Sequence, residues 1–445
     1  MIQVFLLSLV AQFGNTTYQN GDIGLKIELP AESTVSGTSK NPPFCMISSS
    51  NPMNMWHLRL ERGINPNAKT AKELLHVPQL GEHASKTTTI ENNAMRAGDL
   101  EGWLHVFLSN DGQPTPLIMV QFALPTNGDQ FILATARFSR TSWDRNSKMI
   151  LECMQTIRPL DPVALIQGKL AALEHAASVL DAISKESLSA LIGFHEWRRI
   201  QSKLDGGSTY EDNGGSTYED IGYALVQVSA GNREEIEIRD GQEELEKTGL
   251  IVTVRSRLVP NIETGVVMDA FGRYWVSWDG EESRWSNRVT KWLEKAKATE
   301  SETGIRNRPE IGSPKSRLIV LQQDLTSDVI KPPFKALAED PWLPRALVWI
   351  LGPFLSSSDH DEQFMWMTYE NSGGSSKIVT RVDSLHQNDD ESWTVDTKVG
   401  EGEVTLWSTF NEDGSLLTQT QKNGAVVTGA THDMLENIWA PRNLW

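Results

Sequence analysis

Residues that could perform chemistry are few in this chain, and their spacing is poor. The densest group of possible metal ligands is Asp359-His360-Asp361-Glu362, four adjacent residues in a polar segment. Adjacent side chains on a loop seldom converge on one ion, so this pattern favours a solvated acidic turn. The pair His195-Glu196 stands in the sequence HEWRR, which lacks the second histidine of a zinc protease helix. We therefore predict no metal site.

Signatures of other catalytic and cofactor sites are missing as well. The sequence contains no Walker loop, no dinucleotide fingerprint and no nucleophile elbow. Carboxylates are plentiful, but no spacing singles out a pair for acid–base catalysis. We predict a non-enzymatic protein with no catalytic residue and no cofactor. An enzyme of unrecognised type stays open as an alternative.

Tryptophan is the residue type that could line a ligand site. The chain has 15 of them, most in its second half, and an indole packs well while keeping one polar N–H. The candidates for the lining of a cleft that holds an apolar ligand are Trp349, Trp366, Trp393 and Trp407. The same four residues would also suit an ordinary hydrophobic core.

The charge balance bears on the choice of partner. The chain has 41 basic and 58 acidic residues and a net charge of −17. This argues against sequence-independent binding to phosphate backbones, which needs clustered Lys and Arg, and it does not favour anionic lipid surfaces. The partner predicted here is an unknown protein or an apolar ligand, with no nucleic acid. The oligomeric state is left open.

Residues 1–14 form a possible secretory signal segment. An apolar run leads to Leu9-Val10-Ala11, but no Lys or Arg precedes Lys26 and the cleavage pattern is poor. We expect an exported protein of the periplasm or cell envelope, and the alternative is a cytoplasmic protein with a buried first strand. No other segment reaches about 18 uninterrupted apolar residues, so no integral membrane span is expected. Cys45 and Cys153 form neither a disulfide framework nor a metal spacing, and whether they pair is open.

A chain of 445 residues is longer than one core usually supports, which indicates an α+β protein of several domains. Residues 21–160 read as one α/β domain. The strand GLKIELP comes first, then three strands with hairpin turns at Asn110-Asp111-Gly112 and Asn127-Gly128. A helix follows in SWDRNSKMILECMQTIRP, opened by a capping box of Thr141 and Asp144 and placing Ile150, Cys153 and Ile157 on one face.

This arrangement of an early strand ending in Pro30, a long hairpin and a closing helix resembles the α/β sandwich of PsbP, Mog1 and DcrB proteins. The resemblance implies a small adaptor-like domain, often found in exported bacterial or thylakoid-lumen proteins. It implies no common catalytic residue. The expectation therefore concerns the fold more than the function.

Five further segments are predicted after this domain from periodicity and composition. They are a helical connector at 163–204, a linker at 205–221 with the repeat GGSTYED, a β-meander plus helix at 222–295, a linker loop at 296–316, and a β-meander with short covering helices at 317–445. The helix is placed on the spacing of Trp285, Val289 and Trp292. Residues 222–445 could form two small units or one larger curved sheet.

The last segment carries the functional alternatives. Five runs rich in Val, Thr, Phe and Trp between Gln363 and Lys422 predict a meander, whose last run, LLTQTQK, is polar on both faces and predicts an edge strand. The apolar run from Trp342 to Leu355 is the nearest cover for it. A curved sheet under short helices resembles lipoprotein carriers of the LolA kind in general plan. The hypotheses are a protein that binds a protein partner through its domain surfaces and, as an alternative, a carrier of an apolar, lipid-like ligand.

Overall fold

The computed structural model describes most of the chain in two compact units. An N-terminal domain ends at Gly168, and a C-terminal domain begins at Lys169. The described residues are 16–21, 23–30, 33–38, 44–49, 51, 55–65, 67–75, 87–109, 115–126, 130–203, 218–236, 247–261, 265–293, 296–308, 315–356, 358, 361–372, 375–400 and 404–445. The predicted signal segment 1–14, the first copy of the GGSTYED repeat and both predicted hairpin turns of the N-terminal domain lie outside them.

Antiparallel strands make up most of the N-terminal domain. The strands are β1 (Thr16–Asn20), β2 (Leu25–Leu29), β3 (Ser33–Thr38), β4 (Phe44–Ser49), β5 (His57–Ile64), β6 (Thr87–Ala97), β7 (Leu100–Ser109), β8 (Leu117–Pro125), β9 (Gln130–Phe138) and β10 (Arg158–Pro159). They form a sheet of order β1-β2-β10 and a sheet of order β3-β4-β5-β9-β8-β7-β6. The three predicted consecutive strands are β7, β8 and β9, and they pair as predicted.

Two helices pack against this domain, α1 (Ala71–Leu75) and α2 (Arg140–Gln155). Ile150 and Cys153 of α2 are buried with the strands in one core, as the periodicity of the sequence predicts. Ile157 is buried in the same core but lies beyond the end of the helix. The cap of α2 differs from the prediction, because Ser139 rather than Thr141 is the N-cap and accepts a hydrogen bond of 3.2 Å from the Ser142 amide. Cys45 and Cys153 are buried and not bonded to each other.

The C-terminal domain contains one sheet whose strands come from almost its whole length. They are β11 (His195–Lys203), β12 (Tyr218–Asn232), β13 (Thr248–Asn261), β14 (Val266–Ser277), β15 (Ser283–Leu293), β16 (Ala296–Arg306), β17 (Lys315–Asp324), β18 (Val329–Ile330), β19 (Phe334–Glu339), β20 (Gln363–Ser372), β21 (Ser375–Gln387), β22 (Trp393–Val399), β23 (Leu406–Phe410), β24 (Leu416–Gln421) and β25 (Val426–Ala430).

The strand order explains how this sheet is built. The chain meanders outward from β11 to β18 and β19, both of which pair with β17, and a second meander from β20 returns so that β25 pairs with β11. Both arms contribute side chains to one core cluster, so the sheet wraps around it. Of the two alternatives for residues 222–445, the described part of the chain shows the single large sheet.

Five helices lie in the described part of the chain from residue 162 onward. They are α3 (Pro162–Asp181), α4 (Lys185–Ser189), α5 (Arg345–Trp349), α6 (Leu351–Leu355) and α7 (His432–Trp439), with single 3₁₀ turns at Arg233–Glu235 and Ala440–Arg442. The apolar run from Trp342 to Leu355 forms α5 and α6 and packs inside the sheet. The helix α7 buries Leu435 and Trp439 against Val259 in a separate cluster.

Three predicted elements are wrong in ways that share a cause. The predicted helix at Trp285–Trp292 is strand β15, the predicted loop at 296–316 begins as strand β16, and the helical connector ends in strand β11. In each segment, polar or charged side chains lie on the buried face of the sheet, so the alternation of apolar and polar residues that marks a strand is lost.

Two other predictions need correction. The end of the repeat, from Tyr218 onward, begins β12 and pairs with β11, so the repeat joins neighbouring strands of one sheet rather than two domains. LLTQTQK is β24, which lies between β23 and β25 and is not an edge strand.

The helix α3 is long and apolar enough to cross a membrane by the criteria of length and composition. Its most apolar window has a mean hydropathy of 1.2, and 11% of that window is buried. Ala172 and Ala176 are the buried residues of α3, and Ala176 is part of the core cluster of the C-terminal domain. The expectation that no segment spans a membrane stays a prediction.

Candidate functional site

The space between the predicted meander and the helices before it is filled by side chains. Leu343, Leu347, Ile350 and Leu355 have no exposed surface and pack with residues of both arms of the sheet. These side chains extend from just before α5 to the end of α6, so the two helices form the centre of the core rather than a separate cover.

The four tryptophans predicted to line a ligand cleft have different environments. Trp366 and Trp393 are fully buried, and their indole N–H groups donate hydrogen bonds of 2.9 Å to Asp383 and to the Asn411 carbonyl oxygen. Trp349 is partly buried with its ring 5.8 Å from that of Tyr274. Trp407 is 39% exposed. Their role in binding a ligand stays a prediction.

A groove of about 740 Å³ lies elsewhere on the C-terminal domain. It is lined by the end of α3, by α4 and the residues after it, by α6, and by two connecting segments. The lining residues are Ser178, Val179, Ala182, Ile183, Ser187, Leu188, Ala190, Leu191, Phe194, Pro353, Phe354, Ser356, Ser358, Glu362 and Asp413. We call this surface the α3–α6 groove.

The apolar residues of the α3–α6 groove continue into the core of the domain. Ile183 and Leu188 are buried members of the core cluster, and Val179, Leu191 and Phe354 pack against it while remaining partly accessible. Because their inner sides are held by the core, the groove is preformed by packing. Its volume lies within the range of pockets that enclose a ligand of drug size, about 300–1,000 Å³.

Local structure explains how α4 presents its side of the groove. Ser184 caps α4 by accepting a hydrogen bond of 3.2 Å from the Ser187 amide, and the Ser187 hydroxyl accepts a hydrogen bond of 2.9 Å from the Ser184 amide. This capping box fixes the turn between α3 and α4. Leu188 then points into the core, and Ser187 and Ala190 are exposed on the groove.

The charges that line the groove are acidic. Glu362 and Asp413 are the ionisable residues among the described lining residues, and none of those residues is basic. Hydrogen bonds from the hydroxyl and the amide of Ser415, of 2.7 Å and 2.9 Å, lower the pKa of Asp413 from its usual value. Asp413 therefore stays ionised at neutral pH, and the groove combines an apolar surface with negative charge.

A second polar centre, around Glu302 of β16, lies inside the sheet. Trp285 and Arg345 donate hydrogen bonds of 3.0 Å and 2.8 Å to Glu302 Oε1, and Tyr369 and Asn371 donate bonds of 2.9 Å and 2.7 Å to Oε2. Burial raises the pKa of Glu302, but the charge of Arg345 and these donors outweigh burial, so the pKa lies below its usual value. Hydrogen-bond donors of the protein therefore replace the hydration of the buried Glu302 carboxylate.

Aromatic rings surround the cation of this pair. The guanidinium carbon of Arg345 lies 5.2 Å, 5.3 Å and 5.9 Å from the ring centroids of Trp285, Tyr369 and Tyr274. Such contacts favour a cation within about 6 Å of an aromatic face. The cavity beside Glu302 measures about 40 Å³, room for little more than a water molecule. This centre anchors α5 to the sheet and has no space for a substrate.

Other buried charges of the domain are also paired. Asp383, with no exposed surface, accepts hydrogen bonds of 2.7 Å and 2.9 Å from Arg381 and one of 2.6 Å from Thr397. Glu196, from the HEWRR segment, pairs with Arg198 at 2.5 Å and accepts a hydrogen bond of 2.7 Å from the Leu416 amide. Both carboxylates therefore hold strands together, and neither is arranged for catalysis.

The predicted acidic turn and one exposed cluster are further groups of possible metal ligands. Asp359 and His360 lie outside the described residues, and Glu362 lines the α3–α6 groove. In the described part of the chain, His432, Asp433 and Glu436 at the start of α7 bring one ligand atom each within 4.8 Å of the others, and all three are exposed. Exposed acidic groups of this kind are common without an ion, so the group is not assigned as a metal site.

Sequence reasoning missed both the α3–α6 groove and the Glu302 centre. The groove unites residues more than 230 positions apart, Ser178 and Asp413, and no local pattern brings them together. Glu302 stands in a segment interpreted as a polar loop. One feature of the sequence could have indicated that Glu302 lies in a strand. Gly304, on the same strand, faces Trp285 across the β15–β16 pair, and a glycine there leaves room for the indole.

Comparisons with known proteins give little further information. No protein family and no curated protein matches the chain. Among solved structures, PA94 from Pseudomonas aeruginosa, a protein of unknown function, is 12% identical with a TM-score of 0.23, over 33% of this chain and 98% of its own. Cyanobacterial PsbP from Synechocystis sp. PCC 6803 is 11% identical with a TM-score of 0.26, over 35% of this chain and 98% of its own. Likeness at these scores carries no functional inference.

Proposed function

We propose that this protein acts without catalysis and that its C-terminal domain binds an amphipathic helical segment of a partner protein in the α3–α6 groove. The apolar surface of the groove, with acidic and no basic residues among its described lining, supports this proposal. A helix that lays its apolar face into such a groove loses apolar surface to water, worth roughly 25 cal/mol for each Å². Basic residues beside that face would meet Glu362 and Asp413.

Charge makes the proposed partner more specific. The whole chain carries a net charge of −17, so a basic segment is attracted from a distance as well as at the groove. Complementary charge raises the association rate and selects against acidic segments. Binding should therefore weaken as salt rises, while the apolar contacts persist.

Two model peptides of equal length test the proposal on the full-length protein. Both are helices of 18 residues with leucine on one face, and they differ in having lysine or glutamate on the other. Fluorescence anisotropy should show binding of the Leu/Lys peptide and at least tenfold weaker binding of the Leu/Glu peptide. Equal binding of the two peptides would contradict the role of the acidic groove.

Variants of α3 locate the binding site. Ala182 is exposed in the groove, so Ala182→Arg fills it with a long cationic side chain without disturbing the core. We expect at least a tenfold loss of affinity for the Leu/Lys peptide. Gln167→Arg, on an exposed part of the same helix outside the groove, adds the same charge and should leave the affinity within about twofold. Equal loss in both variants would place the peptide elsewhere.

The apolar lining and the volume of the groove also favour a second candidate, a carrier of an apolar, lipid-like ligand. An uncharged fluorescent apolar probe, N-phenyl-1-naphthylamine, separates the two. If it binds in the groove, Ala182→Arg abolishes its fluorescence enhancement. A carrier is indicated when the probe binds and the Leu/Lys peptide does not. Export of the protein, expected from residues 1–14, belongs to the same proposal and is tested by the N-terminus of the mature protein.

A further inference from the structure

The outer face of strands β13 to β19 concentrates basic residues in a chain that is acidic overall. The register of these strands aligns every second residue on the side away from the core. The bases at these outward positions are Arg255, Arg257, Arg273, Arg284, Arg288, Lys297, Lys315, Arg317 and Lys335, of which Arg284 is buried. In the described part of the same strands, the acids at outward positions are Asp269 and Glu339. We call this surface the basic face.

Some of these bases are neutralised by neighbours within the domain. Arg257 pairs with Asp269 at 2.7 Å, Lys315 pairs with Glu339, and Arg273 pairs with Glu235 at 2.6 Å. These pairs use both outward acids of the described strands. Arg255, Lys297 and Lys335 are not part of these pairs, so the face keeps positive charge at these three exposed positions.

Three exposed bases spread that charge across the sheet. They are Arg255 on β13, Lys297 on β16 and Lys335 on β19. Neighbouring strands are about 4.8 Å apart, so these positions cover roughly 25 Å across the strands. A flat anionic surface could meet several of them at once.

Aliphatic side chains stand exposed among these bases. Leu321 and Leu337 occupy outward positions and are 43% and 58% exposed, and Ile330 of the edge strand β18 is 66% exposed. Their neighbours in the sheet include polar residues and bases, for example Arg317 directly opposite Leu337. Exposed aliphatic and basic residues on one face are the combination that inserts shallowly into a lipid interface while binding its headgroups.

The aromatic residues of the face are less suited to binding nucleic acid. Phe271 and Trp292 are each 42% exposed, but Arg255 lies 5.6 Å from the centroid of the Phe271 ring and Lys297 lies 4.7 Å from that of Trp292. Proteins that bind single strands without sequence preference stack bases on open aromatic faces. Here a cation of the protein covers one side of each ring.

We propose that the basic face docks the protein on the surface of an anionic phospholipid membrane. The bases bind the headgroups, and Leu321, Ile330 and Leu337 enter the interface. Because the whole chain is acidic, the association should be weak and strongly dependent on salt. This inference is independent of the α3–α6 groove, which lies on other residues.

Vesicle sedimentation with the full-length protein tests the proposal. Vesicles of phosphatidylcholine alone are compared with vesicles containing about one third phosphatidylglycerol, at low and high salt. We expect binding to the anionic vesicles at low salt, at least tenfold less binding to the neutral ones, and loss of binding at high salt. Equal binding to both kinds of vesicle, or no binding to either, would overturn the proposal.

Variants assign the interaction to this face. Arg255→Glu with Lys335→Glu reverses two exposed charges, and Ile330→Ser with Leu337→Ser removes two exposed aliphatic groups. Each pair should lower vesicle binding at least tenfold. The matched controls on the other arm of the sheet are Lys398→Glu and Leu417→Ser, which should change it by less than about twofold.

Binding of an oligonucleotide tests the alternative that the basic face binds nucleic acid rather than a membrane. A 20-residue oligothymidine is measured with the same variants by anisotropy. If it binds through Arg255 and Lys335 while anionic vesicles do not, the face is for nucleic acid and the membrane proposal fails. Far-UV circular dichroism of each variant establishes that lost binding comes from the surface and not from unfolding.

Discussion

At the residue level, Glu302 shows why a buried charge can belong to a stable core. A carboxylate removed from water costs several kcal/mol unless donors replace its hydration. Five side chains, of Trp285, Gln322, Arg345, Tyr369 and Asn371, do so here, and Arg345 also supplies the opposite charge. The buried charge of Glu302 is therefore compatible with a stable fold only while every one of these partners is present.

Replacing Glu302 by glutamine should therefore be costly. The amide keeps the size of the side chain, loses the charge facing Arg345 and turns an N–H₂ toward residues that are themselves donors. We expect Glu302→Gln to lower the free energy of unfolding of the C-terminal domain by about 3–5 kcal/mol at pH 7, measured by urea denaturation. Glu300→Gln, two residues away on the same strand and exposed, should change it by less than about 0.5 kcal/mol.

The contribution of Glu302 to the free energy of unfolding should change with pH in a definite direction. The pKa of Glu302 is lowered in the folded state from an ordinary value of 4.5, so its stabilising contribution is present above that value. It is lost as the pH falls through the lower pKa of the folded state. The stability difference between the wild type and Glu302→Gln should thus shrink below about pH 4. A difference that stayed constant down to pH 2 would contradict this account.

At the level of secondary structure, the packing of α5 and α6 distinguishes a filled core from a lid over a cavity. Leu347 of α5 has no exposed surface, and its neighbours in the core cluster come from both arms of the sheet. Leu347→Ala should lower the free energy of unfolding by about 2–5 kcal/mol, because the lost contacts leave a cavity that the sheet cannot close.

The exposed Leu337 of β19 provides the control for this measurement. Leu337→Ala removes the same atoms from a side chain that is 58% exposed and should cost less than about 1 kcal/mol. Equal costs in the two variants would mean that α5 lies over a space already empty, which is the arrangement a lid would have.

The elements that could be predicted from sequence are those with one apolar face. The strands β20 to β23, the consecutive strands β7 to β9 and the helix α7 follow the apolar periodicity. The strands β11, β15 and β16 do not, because polar residues are buried in them: Glu196 and Glu302 beside partners far away in sequence, and Ser283 in β15. Only the tertiary structure supplies these partners, so the Glu302 centre and the α3–α6 groove were beyond prediction.

At the level of the whole molecule, the net charge of the chain does not determine the charge of each surface. The net charge of −17 describes the chain, whereas the register of β13 to β19 determines which charges share a surface. Strand periodicity places alternate residues on one side, so a face can be basic while the chain is acidic. The composition argues against an anionic partner for the average surface and leaves the basic face as the exception.

The two domains should also unfold as separate units, because each has its own core. Both cysteines lie in the N-terminal domain, and burial, followed by the charge of Glu28, raises the pKa of Cys153 to about 12. Thiol labelling during a urea titration therefore reports the N-terminal domain. Tryptophan fluorescence reports mainly the C-terminal domain, which contains most of the indoles.

If the two domains unfold independently, each of two variants should shift the urea midpoint of one domain only. Glu302→Gln should lower the urea midpoint of tryptophan fluorescence and leave that of thiol labelling unchanged. Ile150→Ala, in the core of the N-terminal domain, should lower the midpoint of labelling by a loss of about 2–5 kcal/mol and leave the main fluorescence transition in place. If either variant moved both midpoints equally, the two cores would be one cooperative unit, and binding at the α3–α6 groove would then be linked to the stability of the N-terminal domain.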